Sequence, residues 1–235
     1  MVFRQHNNLT EVGDHFLWGG IATMACFSLI FFLQSARATH ALVRGYALKH
    51  AIACVIAALS YFLMSHQVGM FRKDTGRAWF YLRYLEYAIT TPLLMYDFAN
   101  LSQAGTFTSG LVLLLTEGIV LATFYAGSLQ DRTFMWRIFA GICFAGVFLA
   151  YLILVECRPA NKAWTGLTNA KGVLFIAMFI VYALGWGLSE GGQLIPVDFT
   201  HLWFVIADNI ARCFLGALFI WITHNVMQEI DTKGK

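Results

Sequence analysis

Long apolar stretches separated by short polar segments dominate the hydrophobic pattern along this chain. A helix needs about 20 predominantly apolar residues to cross the hydrocarbon core of a bilayer. Seven stretches approach this length, which predicts seven membrane-spanning helices. In chain order the predicted spans are His15–Gln34, Lys49–Ser65, Trp79–Ala99, Gly110–Gly127, Thr133–Glu156, Lys171–Leu188 and Phe199–His224.

Composition excludes a soluble globule and so supports this interpretation. Hydrophobic residues make up 59% of the 235-residue chain, whereas charged residues make up only 12%. Soluble domains carry about 25% charged residues, so this chain has too little polar surface to cover itself in water. We therefore predict an all-α membrane protein with a single seven-transmembrane-helix domain over residues 1–235, including a short N-terminal tail (1–14) and a short C-terminal tail (225–235).

The distribution of Lys and Arg bears on orientation in the membrane. Seven spans place the termini on opposite sides, and cytoplasmic loops usually carry an excess of Lys and Arg. With a cytoplasmic C-terminus, eight of these residues fall on the cytoplasmic side and six on the other. This small excess favours an N-terminus outside. The net charge of +3 and the lack of any basic run argue against a nucleic-acid partner.

Ionisable residues interrupt the third predicted span at helical spacing. Arg83, Glu86, Thr90 and Asp97 follow one another at steps of three, four and seven residues, which places them on one helical face. Glu86 and Asp97 are eleven residues apart, or about 16 Å along a helix that rises about 1.5 Å per residue. One carboxylate would lie near mid-membrane and the other near a surface, as expected of a path that hands protons across a bilayer.

The seventh predicted span carries a further pair of charges. Asp208 and Arg212 are four residues apart and therefore share a helical face. Because arginine stays protonated in proteins, Arg212 needs a counter-charge, and Asp208 and Glu86 are the candidates. Ionisable groups at membrane depth are costly and often functional, but a buried ion pair can also fix helix packing without chemistry. The residues alone leave both interpretations open.

Two motifs resemble those of the microbial (type 1) rhodopsins, the family of bacteriorhodopsin and the fungal opsins. From Arg83 to Leu94 the chain reads RYLEYAITTPLL, where the family's third helix usually reads Arg-Tyr-x-Asp-Trp-x-x-Thr-Thr-Pro-Leu-Leu. From Trp186 to Gly192 it reads WGLSEGG, which is similar to the end of helix six in fungal opsins. The resemblance covers essentially the whole chain and implies the seven-helix fold of that family.

The retinal-attachment position departs from the family pattern. In such proteins a seventh-helix lysine holds retinal as a protonated Schiff base, and the matching position here is Arg212. A guanidinium stays charged and forms no comparable imine, and the lysines of this chain lie at predicted helix ends, in loops or in the tail. We therefore expect no covalently bound cofactor; retinal could bind only non-covalently. Arg212 would supply a permanent cation, with Glu86 and Asp208 in the counterion positions.

The resemblance implies roles for further polar residues. Asp97 matches the proton donor of outward pumps, and Arg83 matches the arginine between counterion and proton-release group. Glu190 matches one member of the release pair, while Thr200 replaces the second carboxylate. Much of a proton path would therefore remain, without the light-driven switch that operates it.

Residues matching the retinal pocket are partly changed. Tyr87 stands where a tryptophan sandwiches retinal, and Phe124 stands where bacteriorhodopsin has a glycine against the ring. A phenylalanine there could fill part of the ligand's volume, because packed cores leave few voids; ordinary helix packing is the alternative explanation for the aromatic residues. The positions matching the pocket are Tyr87, Thr90, Thr91, Glu117, Phe124, Phe179, Tyr182 and Trp186.

Two functions are compatible with these expectations. The first is a light-independent opsin relative that forms no retinylidene bond, is not a conventional light-driven pump, and has its core held by Arg212, Glu86 and Asp208. The second is a retinal-binding photoreceptor or light-driven proton transporter, with Glu86 as acceptor and Asp97 as donor. The second requires non-covalent retinal, or an arginine that has replaced a natural lysine.

An enzyme or a metal protein is disfavoured by the same sequence. The seven histidines lie mostly near span ends, where we expect interfacial polar residues, and they show no metal-ligand spacing. No nucleophile–base set is visible. The expected partners are the lipid bilayer and, because family members often form trimers or pentamers, further copies of the chain.

Overall fold

Helices dominate the computed structural model, which describes residues 8–73, 76–102 and 162–233 and the isolated positions 111, 115, 118, 119, 122 and 141. The predicted spans Gly110–Gly127 and Thr133–Glu156 therefore lie outside the continuously described residues. Two π-helical segments are also present, Gly187–Gly191 and Asn209–Phe214. The elements are α1 (Glu11–Arg37), α2 (Ala41–Ser65), β1 (Met70–Arg72), β2 (Ala78–Phe80), α3 (Leu82–Ser102), α4 (Lys162–Trp186), α5 (Val197–Asp208) and α6 (Leu215–Lys233).

Three helices in the described ranges are long and apolar enough to cross a bilayer. These are Glu11–Arg37, Ala41–Ser65 and Val197–Gln228, the last of which runs through α5, the second π-helical segment and most of α6. They coincide with the first, second and seventh predicted spans. Helix α3 matches the third predicted span from Leu82 onward, and α4 together with the first π-helical segment covers the sixth. In this bundle α1 packs along α2 and against α5, and α2 also contacts α3.

Both predicted tails are shorter than expected. Helix α1 begins inside the segment 1–14, because Thr10 caps it by accepting a backbone hydrogen bond from the first turn. Thr10 also donates its hydroxyl to Asp198 at 2.5 Å and its backbone N–H to the same carboxylate at 2.9 Å. These bonds join the start of α1 to the first turn of α5. At the other end, α6 continues through most of 225–235.

A two-stranded antiparallel hairpin corrects the start of the third predicted span. Trp79 lies in β2 opposite Phe71 of β1, not in a helix. All three residues of β2 are buried, so the strand lacks the polar–apolar alternation that reveals a half-exposed strand and merges with the apolar run that follows. Gly69 starts the hairpin with φ of +71°, and a β-carbon there would meet the side chain of Leu82.

The core contains an apolar region and an aromatic region. The apolar region fills the space between α1, α2 and the last helices, with Leu17, Met24 and Cys54 fully buried. The aromatic region joins the hairpin to α3, α4 and α5 and lies beside the charged residues described below. Its buried members are Trp79, Tyr84, Trp186 and Phe204, with Tyr81, Tyr87 and Tyr182 packed against them.

Candidate functional site

A widened helical turn positions Arg212. The π-helical segment Asn209–Phe214 directly follows Asp208, the last residue of α5. Such π-helical turns are rare and frequently coincide with functional sites. The turn directs the Arg212 side chain into the bundle, where Arg212 is only 3% exposed. Asp208 is fully buried.

Arg212 is paired with both predicted counter-charges. Its Nη2 donates to Glu86 Oε2 at 3.0 Å, and its Nη1 donates to Glu86 Oε1. Nη2 also lies 3.4 Å from Asp208 Oδ1, an ion pair within one turn of the same helix. A bidentate contact of this kind fixes both the distance and the orientation of the partners. We call Arg212, Glu86 and Asp208 the arginine cluster.

Three tyrosines surround the Asp208 carboxylate. Tyr182 donates to Oδ1 at 2.5 Å, Tyr87 donates to Oδ2 at 3.3 Å, and Tyr61 also donates to Oδ2. The hydroxyls come from α2, α3 and α4, so this single carboxylate links four parts of the bundle. Because each oxygen accepts at least one hydrogen bond, the desolvation cost of the buried charge is partly offset.

Thr90 completes the environment of Glu86. Its hydroxyl lies 2.8 Å from Glu86 Oε1 and 3.0 Å from the Glu86 backbone carbonyl, one turn earlier on α3. Thr90 is fully buried and Glu86 is 4% exposed. The structure therefore brings together Arg212, Glu86, Asp208, Thr90, Tyr87 and Tyr182 from the residues that the sequence singled out.

A second group of charges lies at the end of the bundle closed by the hairpin. Arg83 Nη2 lies 2.9 Å from His201 Nδ1, and its guanidinium stacks 4.3 Å from the centre of the Phe204 ring. His201 is 1% exposed. The expectation that the histidines are interfacial is therefore wrong for His201, which lies on the inward face of α5, whereas Phe199 in the same turn is 58% exposed; His50 on α2 is also buried.

The hairpin adds two cations that the sequence analysis did not assign to a site. Lys73 Nζ lies 3.8 Å from Glu190 Oε2, and Arg77 donates to the Ile195 carbonyl at 2.9 Å and to Thr200 Oγ1 at 3.2 Å. Burial lowers the pKa of Lys73, although the Glu190 carboxylate opposes this effect. We call Lys73, Arg77, Arg83, Glu190 and His201 the hairpin-end cluster.

The remaining predicted residues are placed as follows. Trp186 belongs to the buried aromatic region. Thr91 on α3 and Phe179 on α4 are half-buried. Asp97 lies on α3, but its side chain is outside the described part of the structure. Glu117 and Phe124 also lie outside the described residues.

Tyr61 and the two hairpin cations were missed for different reasons. Tyr61 lies within an apolar span and looks like an ordinary core residue. A buried tyrosine hydroxyl usually has a partner, so its position in the span was a usable signal. Lys73 and Arg77 follow a predicted span end, where exposed loop charges are the normal expectation. Their burial depends on the hairpin, which the hydrophobic pattern did not reveal.

Chemically, the arginine cluster holds charge but cannot release a proton from its cation. It combines one permanent positive charge with two carboxylates, all less than 5% exposed. Arginine cannot be deprotonated in a protein, so proton exchange at this site would have to involve a carboxylate. Among the described residues, no group of three or more His, Cys, Asp or Glu side chains could hold a metal ion.

Known proteins with similar sequences include an opsin-like protein of a fungus. The model of the bacteriorhodopsin-like protein family matches residues 11–226. The opsin-like protein carO of Fusarium fujikuroi is 27% identical, over 95% of this chain and 77% of its own length. Protein FDD123 of Trametes versicolor is 26% identical, over 91% of this chain and 78% of its own length.

Solved structures share the fold at low sequence identity. The light-driven proton pump from Leptosphaeria maculans superposes with a TM-score of 0.84 at 23% identity, covering 93% of this chain and 98% of the other. The proton-pumping rhodopsin AR2 from Acetabularia acetabulum gives 0.86 at 19% identity, covering 93% and 97%. This chain is an integral membrane protein of the bacteriorhodopsin-like family, with the seven-helix fold of the microbial rhodopsins.

Proposed function

We propose that this protein is a light-independent member of its family, in which the arginine cluster takes the place of a photoactive centre. The observation that carries the proposal is the bidentate ion pair between Arg212 and Glu86. It stands at the position where the family resemblance expects a lysine amine bound to retinal. A guanidinium in this arrangement has no nitrogen free to condense with an aldehyde.

The residues around Arg212 do not fit a retinylidene linkage. Both terminal nitrogens of the guanidinium face carboxylates, and its carbon lies 5.3 Å from the centre of the Tyr87 ring. The Tyr87 and Tyr182 rings meet edge to face with 5.5 Å between their centres. The side chains of Arg212, Tyr87 and Tyr182 thus contact protein groups on the sides described, as in a packed protein core. A retinylidene linkage at Arg212 is therefore not part of the proposed function.

The cluster would act as a fixed connection between helices. It joins α3 to the last span through Glu86, and Asp208 adds α2 and α4 through the tyrosines. A protonated Schiff base can lose its charge during a transport cycle, whereas this cation cannot. The bundle would accordingly serve as a stable membrane scaffold or binding component rather than as a pump driven at this site.

A second candidate is a light-driven proton transporter or photoreceptor that binds retinal non-covalently. Two observations favour it: structures with the same fold include light-driven proton pumps, and Glu86 and Glu190 remain as buried carboxylates. Glu86 would then be the acceptor and Asp97 the donor. This candidate predicts absorbance and a light-induced pH change in the unmodified protein.

Reconstitution with retinal separates the two candidates. Purified protein would be incubated with all-trans-retinal, washed, and examined by visible absorption spectroscopy and by pH measurement under illumination. We expect no wash-resistant band that is red-shifted from free retinal, and no light-induced pH change. A stable band or a light-induced pH change in the unmodified protein would overturn the proposal.

Two variants at one position make the experiment sharper. Arg212→Lys supplies an amine, and Arg212→Met removes the guanidinium without supplying one. If arginine alone prevents pigment formation, Arg212→Lys should give a red-shifted band that hydroxylamine bleaches, whereas Arg212→Met should stay colourless. An equal band in both variants would show that retinal binds without an imine, and would favour the second candidate.

A further inference from the structure

The hairpin-end cluster contains more buried positive charge than the described residues neutralise. Lys73, Arg77 and Arg83 are 5%, 2% and 2% exposed, and the Glu190 carboxylate beside them is 4% exposed. Three cations and one carboxylate leave a net charge of +2 (3 − 1) before His201 is counted. Buried charge without compensation is strongly destabilising. A negatively charged group bound within the cluster would therefore stabilise the folded protein.

Several polar atoms in this cluster also have no hydrogen-bond partner among the described residues. They are Lys73 Nζ, Arg77 Nε, Arg83 Nε, Glu190 Oε2 and His201 Nε2. The separation of 3.8 Å between Lys73 Nζ and Glu190 Oε2 is an ion pair but too long for a hydrogen bond. Unsatisfied donors on three buried cations point to a missing acceptor rather than to a gap between apolar groups.

Neighbouring contacts hold the cations in place without neutralising them. Arg77 is fixed by the Ile195 carbonyl and Thr200, and Arg83 is fixed by His201 and the Phe204 ring. Lys73 Nζ lies 5.8 Å from the centre of the Trp79 ring. None of these partners carries a negative charge, so they leave the three cations without compensation.

We propose that the hairpin-end cluster binds one small monovalent inorganic anion such as chloride. A buried water could accept hydrogen bonds from the cations, but it would not compensate their charge. One monovalent anion would reduce the net charge of the described groups from +2 to +1, and residues that are at most 5% exposed give access only to a small ion. The proposal concerns the hairpin end and does not depend on whether retinal binds at Arg212.

The test is a chloride titration of the protein in lipid nanodiscs. Gluconate replaces chloride at constant ionic strength, and the melting temperature is measured at each concentration. Because a ligand that binds only the folded state stabilises it by mass action, we expect a saturable rise of about 5 °C when chloride reaches about 100 times its Kd. Broadening of the chloride-35 NMR line by the protein reports binding directly.

Matched variants assign the effect to the cluster. Lys73→Gln should abolish both the saturable rise and the line broadening. Arg72→Gln, which removes the same charge from the exposed neighbouring residue, should retain both. Thr200→Glu places a fixed carboxylate beside Arg77 and should also remove the chloride effect, which keeps the test informative if Lys73→Gln folds poorly. Asp74, which lies outside the described residues, is tested with Asp74→Asn, which should keep the response.

Several outcomes would overturn the proposal. The first is a melting temperature that follows ionic strength equally in chloride and gluconate, together with no excess line broadening. The second is a chloride response that persists in Lys73→Gln and Thr200→Glu, because the anion would then bind elsewhere. The third is a response that is lost in Arg72→Gln but kept in Lys73→Gln, which would move the site to the exposed side of the hairpin.

Discussion

Arg212 and Glu86 form a buried ion pair between the last span and α3, with side chains that are 4% and 3% exposed. Both terminal nitrogens of the guanidinium take part, so the pair constrains the two helices in distance and rotation. The contact is equivalent in position to the photoactive centre that the family resemblance implies. It therefore connects the stability of the bundle with the question of its function.

Removing one partner of this pair should be strongly destabilising. Glu86→Leu leaves Arg212 with Asp208 as its counter-charge, and breaking a buried pair costs about 3–5 kcal/mol. Arg212→Met combined with Glu86→Leu removes both charges, so the double variant should lose less stability than the sum of the two single changes. A double-mutant cycle of unfolding free energies measures this difference. Additive effects would show that the two side chains do not interact as the structure indicates.

The tyrosines around Asp208 should differ in their contributions. Tyr182→Phe and Tyr61→Phe each remove a close hydrogen bond to a charged group, which should cost about 1.5–3 kcal/mol. Tyr87→Phe should cost less, because its hydroxyl lies 3.3 Å from Asp208 Oδ2. Thermal unfolding of the three single variants gives the order. A larger loss for Tyr87→Phe than for the other two would contradict it.

Two adjacent glycines on α1 provide a steric test of the same site. A β-carbon at Gly20 would lie 2.9 Å from the Tyr61 ring, whereas a β-carbon at Gly19 would meet nothing within 4 Å. Gly20→Ala should therefore displace Tyr61 from Asp208 and cost about 1–3 kcal/mol, as overpacking usually does. Gly19→Ala should be neutral or slightly stabilising, because alanine favours helix. Equal melting temperatures for both variants would be inconsistent with this packing.

Lys73 should make stability depend on pH in the alkaline range. Burial lowers its pKa in the folded protein from the ordinary value of 10.5, against the opposing effect of Glu190. Between the lowered and the ordinary pKa the unfolded chain binds more protons, so the unfolding free energy rises with pH. In chloride-free buffer, the stability of the unmodified protein should therefore increase relative to Lys73→Gln as the pH approaches 10.5. Arg72→Gln should keep the pH dependence of the unmodified protein, and a falling difference would contradict the expectation.

The arginine cluster could be anticipated because its physics is local and strict. Arg212 is a permanent cation within an apolar span, so it required carboxylates within reach. Asp208 lies one turn away on the same helix, and Glu86 was the other acidic residue expected at a similar depth. The family motif around Thr90 and Pro92 then indicated which helix would supply it. The structure describes helices for five of the predicted spans. The apolar pattern predicted these spans because the length and the composition of a segment determine whether it can cross a membrane.

The hairpin end could not be anticipated in the same way. Lys73 and Arg77 are buried because the hairpin of Met70–Arg72 and Ala78–Phe80 packs against the end of the bundle. The contacts that make this packing join residues more than 100 positions apart in the chain, so the local sequence does not reveal it. Short strands with continuous burial carry no distinctive period. His201 was assigned to the membrane interface from its distance to a span end. Position along a span does not reveal which face of the helix turns inward.

The π-helical segment at Asn209–Phe214 has a consequence for the rest of the last span. A wide turn inserts one extra residue, which shifts the angular phase of all following positions by about 100° relative to a regular helix with 3.6 residues per turn. The inward stripe runs through Phe204 and Asp208 and then resumes at Gly216, Ile220 and Thr223, all buried, at spacings of four and three residues. A helical wheel drawn through the whole span would therefore misassign its second half. Deleting one residue within this turn would convert it to a regular α-helical turn and leave the inward face of α6 in place, whereas the same deletion within α6 would rotate the residues that follow by about 100°.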